Sequence, residues 1–182
     1  MTRFEFLMMI AAVIVAVGMT EIVGGWGRLL RTRAVVETDW LHLCWTILIL
    51  FSLLQYWIGM WSYHELQIDR MDQIFFLIIP SLFGVLSTFA ITPDVPMAGE
   101  LDVREYYWAK RTAIFLPLAA YVLTALVADL VIVGIENVAL IEAIPYVVGA
   151  AMLSSLSFFK HTWIHAAVLS GWAVSLVIPL FA

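Results

Sequence analysis

Apolar residues fall along the chain in six long runs separated by short polar stretches. The runs cover about 4–28, 41–63, 74–91, 112–134, 139–159 and 162–182. Each is close to the roughly 20 apolar residues that a helix needs to cross a bilayer. None alternates apolar and polar positions with the dyad period of a barrel strand, and in lipid an isolated segment satisfies its own backbone only as a helix. The pattern predicts an all-α polytopic membrane protein, a single domain of six transmembrane helices.

The polar stretches give the orientation. Arg28, Arg31 and Arg33 follow helix 1, Arg104, Lys110 and Arg111 precede helix 4, and Lys160 lies between helices 5 and 6. With six spans these seven fall on one side, against Arg3 and Arg70 on the other. The positive-inside bias then puts both termini outside, in the periplasm if the cell is Gram-negative. Arg3 and the small residues Ala16 and Gly18 imitate a signal peptide, but the apolar run continues through Val23 into the arginines, as in an uncut span. The outer face carries Glu5, Glu65, Asp69, Asp72, Glu136 and Glu142. Such a surface concentrates cations, or simply reflects that the sidedness rule acts on Lys and Arg and leaves acids free.

The longest connection begins TPDVPMAGE, where two prolines and a glycine favour a turn. It continues ELDVREYYWAKR, read as a cytoplasmic amphipathic segment over about 100–111 that feeds helix 4. Asp102 is placed to cap a short helix there, with Tyr106, Tyr107 and Trp108 at headgroup level. Helices 4 and 5 are joined closely enough to form an antiparallel hairpin. Small residues recur four apart in helix 1 (Ala12, Ala16, Thr20, Gly24), in helix 6 (Ala167, Gly171, Ser175) and in helix 5 (Ala150 with Ser154, Ala151 with Ser155). These read as seams for close helix packing. Pro80, Pro117, Pro145 and Pro179 fall in or near helices, where they commonly introduce kinks.

Composition agrees with this picture. The chain is 64% hydrophobic and 13% charged, against about 45–50% and 25% in soluble domains. A net charge of −5 argues against a nucleic-acid partner, which calls for a basic patch. The single cysteine, Cys44, excludes an intramolecular disulfide.

Two acids lie inside the apolar runs. Glu21 sits about 10 Å along helix 1 from Arg28, below the inner headgroups. It either holds a proton or cation in a path, with Arg28 tuning the inner mouth, or is a structural acid, neutral or paired with an inward-reaching arginine. Asp129 lies nearer the outer face, at a depth similar to Gln55 in helix 2. This pair either shares a hydrogen bond or lines an outer vestibule. Glu21, Gln55, Asp129 and Arg28 are therefore the candidate lining of a transport path. His42, His161 and His165 all sit near the inner boundary, and His161 and His165 share a face at i, i+4. They are candidates to ligate a metal or a haem iron, or else bond carbonyls and headgroups. No cofactor is otherwise predicted. The chain has no mid-membrane lysine, arginine ladder, TVGYG filter or phosphate-binding glycine loop. Nothing marks a hydrolytic nucleophile.

Several segments resemble a family of small six-helix bacterial inner-membrane proteins with no assigned activity. They are EFLMMIAAVIVAVGMTEIVGGWGRLLR, WLHLCW, LLQYWIGMW, LDVREYYWAKR and KHTWIHAAV. The resemblance implies six spans and draws interest to His42, Gln55, Trp57, Arg104, Tyr107 and His165 without naming their roles. Three functions are consistent with these residues. The first is transport or channel-type handling of protons, a small cation or a small solute, by a homo-oligomer. The second is an accessory or assembly subunit of a larger membrane complex. The third is a histidine-based metal or haem protein.

Overall fold

A computed structural model describes residues 3–66, 68–96 and 98–177. The order is α1 (Arg3–Arg31), β1 (Val35–Glu37), α2 (Trp40–Gly59, extended by a 3-10 turn over Met60–Tyr63), α3 (Met71–Ile91), β2 (Glu100–Asp102), α4 (Val103–Ile132), α5 (Leu140–Leu156) and α6 (Thr162–Val177). Among the described residues the protein is all-α apart from two three-residue strands. Four helices are long and apolar enough to cross a membrane: α1, α2 with its 3-10 extension, α3 and α4. The apolar α5 and α6 are shorter, at 17 and 16 described residues. The expected end of helix 6, 178–182, lies outside the described residues.

Helix ends are set by local chemistry. Asp39 and Asp102 adopt extended backbone and accept from the N–H of His42 and Glu105, each at 2.9 Å, so both are N-caps. Arg28 and Arg31 occupy the last turn of α1, where cations favour the helix dipole. Gly134, at φ +99°, supplies the left-handed step by which the chain leaves α4 and turns toward α5.

The strands tie two loops together. β1 and β2 pair in parallel, with Val36 opposite Leu101. The linker after α1 and the linker after α3 therefore lie at one end of the bundle, and α2 and α3 form the hairpin between them. That end carries Arg28, Arg31, Arg33 and Arg104. The Thr112 hydroxyl donates to the Ser157 carbonyl at 3.3 Å and brings the end of α5 to the same place. At the opposite end Phe4 packs edge-on to Trp61, with ring centroids 6.2 Å apart.

The amphipathic segment expected at 100–111 is not a separate element. Residues 100–102 are β2, and 103–111 are the first turns of α4, which continues unbroken through Pro117. Asp102 caps this whole 30-residue helix instead of a short one.

The packing seam of α1 also differs from the expected stripe. Ala16 and Thr20 are exposed, whereas Phe4, Leu7, Ala11, Val15, Gly18, Ile22 and Gly25 are buried. That spacing alternates threes and fours, the pattern that keeps one face against a neighbour. Two glycines stand where α3 and its cap come close to neighbouring helices. A Cβ on Gly25 would lie 2.3 Å from Thr92 Cγ2, and one on Gly84 would lie 2.6 Å from Leu53 Cδ2. The helix 6 stripe is no seam either: Ala167, Gly171 and Ser175 are all exposed. In α5 the expectation holds for Ala150, which is buried, and not for Ala151, which is exposed.

Backbone groups freed at helix ends are met from neighbouring helices. The Tyr106 hydroxyl donates to the carbonyls of Ala90 and Thr92 at 2.9 and 3.1 Å, and His42 Nε2 donates to that of Ile91 at 2.7 Å. The end of α3 is thus capped by α2 and α4. One turn before Pro80, the Leu77 carbonyl accepts from the Tyr56 hydroxyl at 2.6 Å. Outward, Val13, Phe51, Ile58, Phe75 and Leu86 each expose more than half of their surface, as a lipid-facing belt requires.

The close approach at Gly25 yields a test. Gly25→Ala overpacks the α1–α3 contact and should cost about 1–3 kcal/mol. Gly171→Ala, which meets nothing within 4 Å, should stay within about 0.5 kcal/mol of the parent. Thermal unfolding of the two variants in mild detergent checks the contrast.

Candidate functional site

A cavity lies at the end of the bundle away from the paired strands. Its volume is about 480 Å³. It is enclosed by the end of α2, the last turns of α4, the start of α5 and the end of α6. Gln55 and Asp129 both line it. No hydrogen bond joins them. Asp129 instead accepts from the Tyr63 hydroxyl.

The walls are aromatic. Tyr56, Tyr63, Tyr121, Tyr146 and Trp172 all contribute. Most of their polar atoms are already engaged. Tyr56 donates to the Leu77 carbonyl, Tyr121 to the Ser52 carbonyl at 2.9 Å, and Trp172 Nε1 to Ser52 Oγ at 3.0 Å. Tyr56 and Tyr121 meet edge to face with centroids 5.8 Å apart. Sequence reasoning read aromatic residues near helix ends as interfacial anchors and so did not bring Tyr63, Tyr146 or Trp172 to the site. The signal that could have found them is their depth, shared with Asp129.

Asp129 is the one ionisable acid among the described residues that line the cavity, and no cation bridges it among them. Glu21 is different. It does not line this cavity, and its Oε1 lies 2.6 Å from Arg28 Nη2, two helical turns away on the same face of α1. The inward-reaching arginine weighed from the sequence is therefore present. The two acids belong to opposite ends of the bundle.

The histidines are held by hydrogen bonds. His165 is fully buried. Its Nε2 lies 3.0 Å from the Phe159 carbonyl and its Nδ1 lies 2.5 Å from the Tyr107 hydroxyl. A carbonyl only accepts, so Nε2 carries the proton and Nδ1 accepts from Tyr107. Both ring nitrogens are thereby used. Around this ring stand Trp108 at 4.8 Å, Phe115 at 5.4 Å and Tyr107 at 5.6 Å between centroids. His42 meets Tyr107 edge-on at 6.4 Å and bonds the end of α3. His161 is exposed at the head of α6. His42 and His165 thus converge on a tyrosine, and His161 stays apart. Among the described residues no group of three His, Cys, Asp or Glu side chains is arranged to hold a metal ion.

Of the other residues that the resemblance marks, Tyr107 is fully buried and Trp57 is 37% exposed. Arg104 stands in a cleft of about 430 Å³ at the strand end, beside Glu37, Asp39, Asp102, Trp40 and Trp108. Asp39 and Asp102 each spend one oxygen there as a helix cap.

Fold and cavity together define a helical bundle with membrane-spanning dimensions and an acid-bearing, aromatic-walled cavity at one end. Comparison with protein-family models, with curated proteins and with solved structures finds no match.

The Tyr107–His165 bond gives a direct expectation. Tyr107→Phe leaves a buried ring nitrogen without its donor and should cost about 1–3 kcal/mol. His161→Ala removes an exposed ring and should stay within about 0.5 kcal/mol of the parent. Unfolding midpoints converted at a common temperature check the pair.

Proposed function

We propose that this chain is a small-solute transport or channel-type protein of the bacterial inner membrane, and that its binding step takes place in the Asp129 cavity. One observation carries the reading: a half-buried carboxylate without a counter-cation opens on a cavity shared by four helices. Such a charge, half-buried and met by the Tyr63 hydroxyl but by no cation, is stabilised further when a proton or cation accompanies it. The cavity therefore favours a positively charged occupant, with the Gln55 amide available to orient it. Six spans with the arginine-rich loops inside make this cavity face outward. In this reading Glu21 anchors Arg28 and is not a station on the route.

A second reading is favoured by α6. Its Ala167, Gly171 and Ser175 stripe is exposed, and Gly171 has nothing within 4 Å of an added Cβ. A second copy or a larger membrane complex would pack closely there. Partner proteins that co-purify in mild detergent, with no intrinsic flux, would favour this accessory role.

Reconstituted vesicles separate the two. Asp129→Asn should abolish cation-dependent flux, while Glu21→Gln retains at least about half of it, as expected for a pair away from the route. Unchanged flux in the Asp129 variant removes the cavity from the path. Loss in both variants returns Glu21 to it.

A further inference from the structure

We infer that the occupant of the Asp129 cavity is an organic ammonium ion, not a bare metal cation and not a neutral apolar solute. The inference rests on the binding role proposed for that cavity and names its ligand class. Three features of the walls lead to it.

The first is charge. One carboxylate, Asp129, lines the cavity, and the described lining holds no lysine, arginine or histidine. A single negative charge matches a monovalent cation. A neutral solute would leave that charge desolvated and unmatched.

The second is the kind of surface offered. Four tyrosines and one tryptophan form the walls. Three of these five have their polar atoms committed to backbone or serine oxygens outside the cavity: Tyr56, Tyr121 and Trp172. Tyr63 commits its hydroxyl to Asp129, and Tyr146 hydrogen-bonds the same carboxylate. What these five residues leave to a ligand is chiefly ring surface around one carboxylate. The face of an aromatic ring is electron-rich and attracts a weakly hydrated alkylammonium, most strongly where water is excluded. A hard metal cation instead requires about six oxygen ligands. This cavity provides one carboxylate with a few neutral oxygens, and among the described residues no metal-holding group of three is arranged there.

The third is preorganisation. Hydrogen bonds fix the rings of Tyr56, Tyr121 and Trp172 before any ligand arrives, so little ordering remains to oppose binding. The volume of about 480 Å³ falls in the usual range of small-molecule sites. An ammonium seated against these rings places its charge beside Asp129 while its alkyl groups meet Tyr146, Val122 and Trp172.

The test compares ligands on the unaltered full chain, so it needs no variant to fold. Isothermal titration of the protein in nanodiscs would use choline, its neutral carbon isostere 3,3-dimethylbutan-1-ol, and sodium chloride. Choline should bind at least about tenfold more tightly than the isostere, as one charge beside Asp129 and the ring faces would give. Sodium should show no saturable heat. Asp129→Asn should abolish the preference for choline, and Tyr146→Leu should weaken choline about fivefold or more while leaving the elution profile unchanged. Equal binding of choline and the isostere would overturn the ammonium assignment but leave a solute site in this cavity standing. Saturable sodium binding without choline binding would overturn it in favour of an inorganic cation, again with the cavity's role intact. Binding of none of the three would overturn it as well, and the vesicle assay on Asp129→Asn would then decide the cavity's role by itself.

Discussion

The carbonyls at the end of α3 impose the central constraint. Those of Ala90, Ile91 and Thr92 lie where helical partners run out, and an unmet carbonyl in an apolar surround is costly. Tyr106 and His42 meet them. To reach those oxygens, α4 must bring its first turn, and α2 its own, against the end of α3. Both helices then begin side by side, each capped by an aspartate, and the preceding residues lie close enough to pair as β1 and β2. His42 therefore serves as backbone donor at a place where water is scarce. His165 does comparable work at the start of α6 through Phe159 and Tyr107.

The two ends of the bundle consequently differ in character. The strand end carries capped helix ends, a short ladder, buried rings and the Arg104 cleft. At the other end lies the Asp129 cavity. There α2, α4, α5 and α6 draw apart around it instead of closing on one another. The seam between α1 and α3 stays close at Gly18 and Gly25, where an added Cβ would come within 3.0 Å of Val85 and 2.3 Å of Thr92. Tight packing on one flank and an open pocket on the other occur in the same bundle.

Much of this was legible in the sequence. The apolar runs announced the helices, because lipid-facing surface has no other way to be written. The depth argument brought Gln55 and Asp129 together, since the helical rise is fixed at 1.5 Å per residue. The start of α4 was harder. Arg104, Glu105, Lys110 and Arg111 end the apolar run, but a helix needs no apolarity to continue past the membrane boundary. The small-residue stripe in α1 misled for a geometric reason. Steps of four overshoot a 3.6-residue turn, so Ala12, Ala16, Thr20 and Gly24 wind away around the helix. The alternating threes and fours from Phe4 to Gly25 stay on one face. The histidines shared a depth, and His161 and His165 a helical spacing, but His161 lies just ahead of α6 and is exposed, and depth alone could not show that Tyr107 stands between the other two.

Ser52 has a mechanical consequence of its own. Its hydroxyl receives Trp172 of α6 and passes a bond on to Leu48, while its carbonyl receives Tyr121 of α4. Two walls of the cavity are therefore hung from a single residue of a third helix. A twist of α2 about its axis would move both rings together, coupling two of the cavity's walls to the angle of one rod.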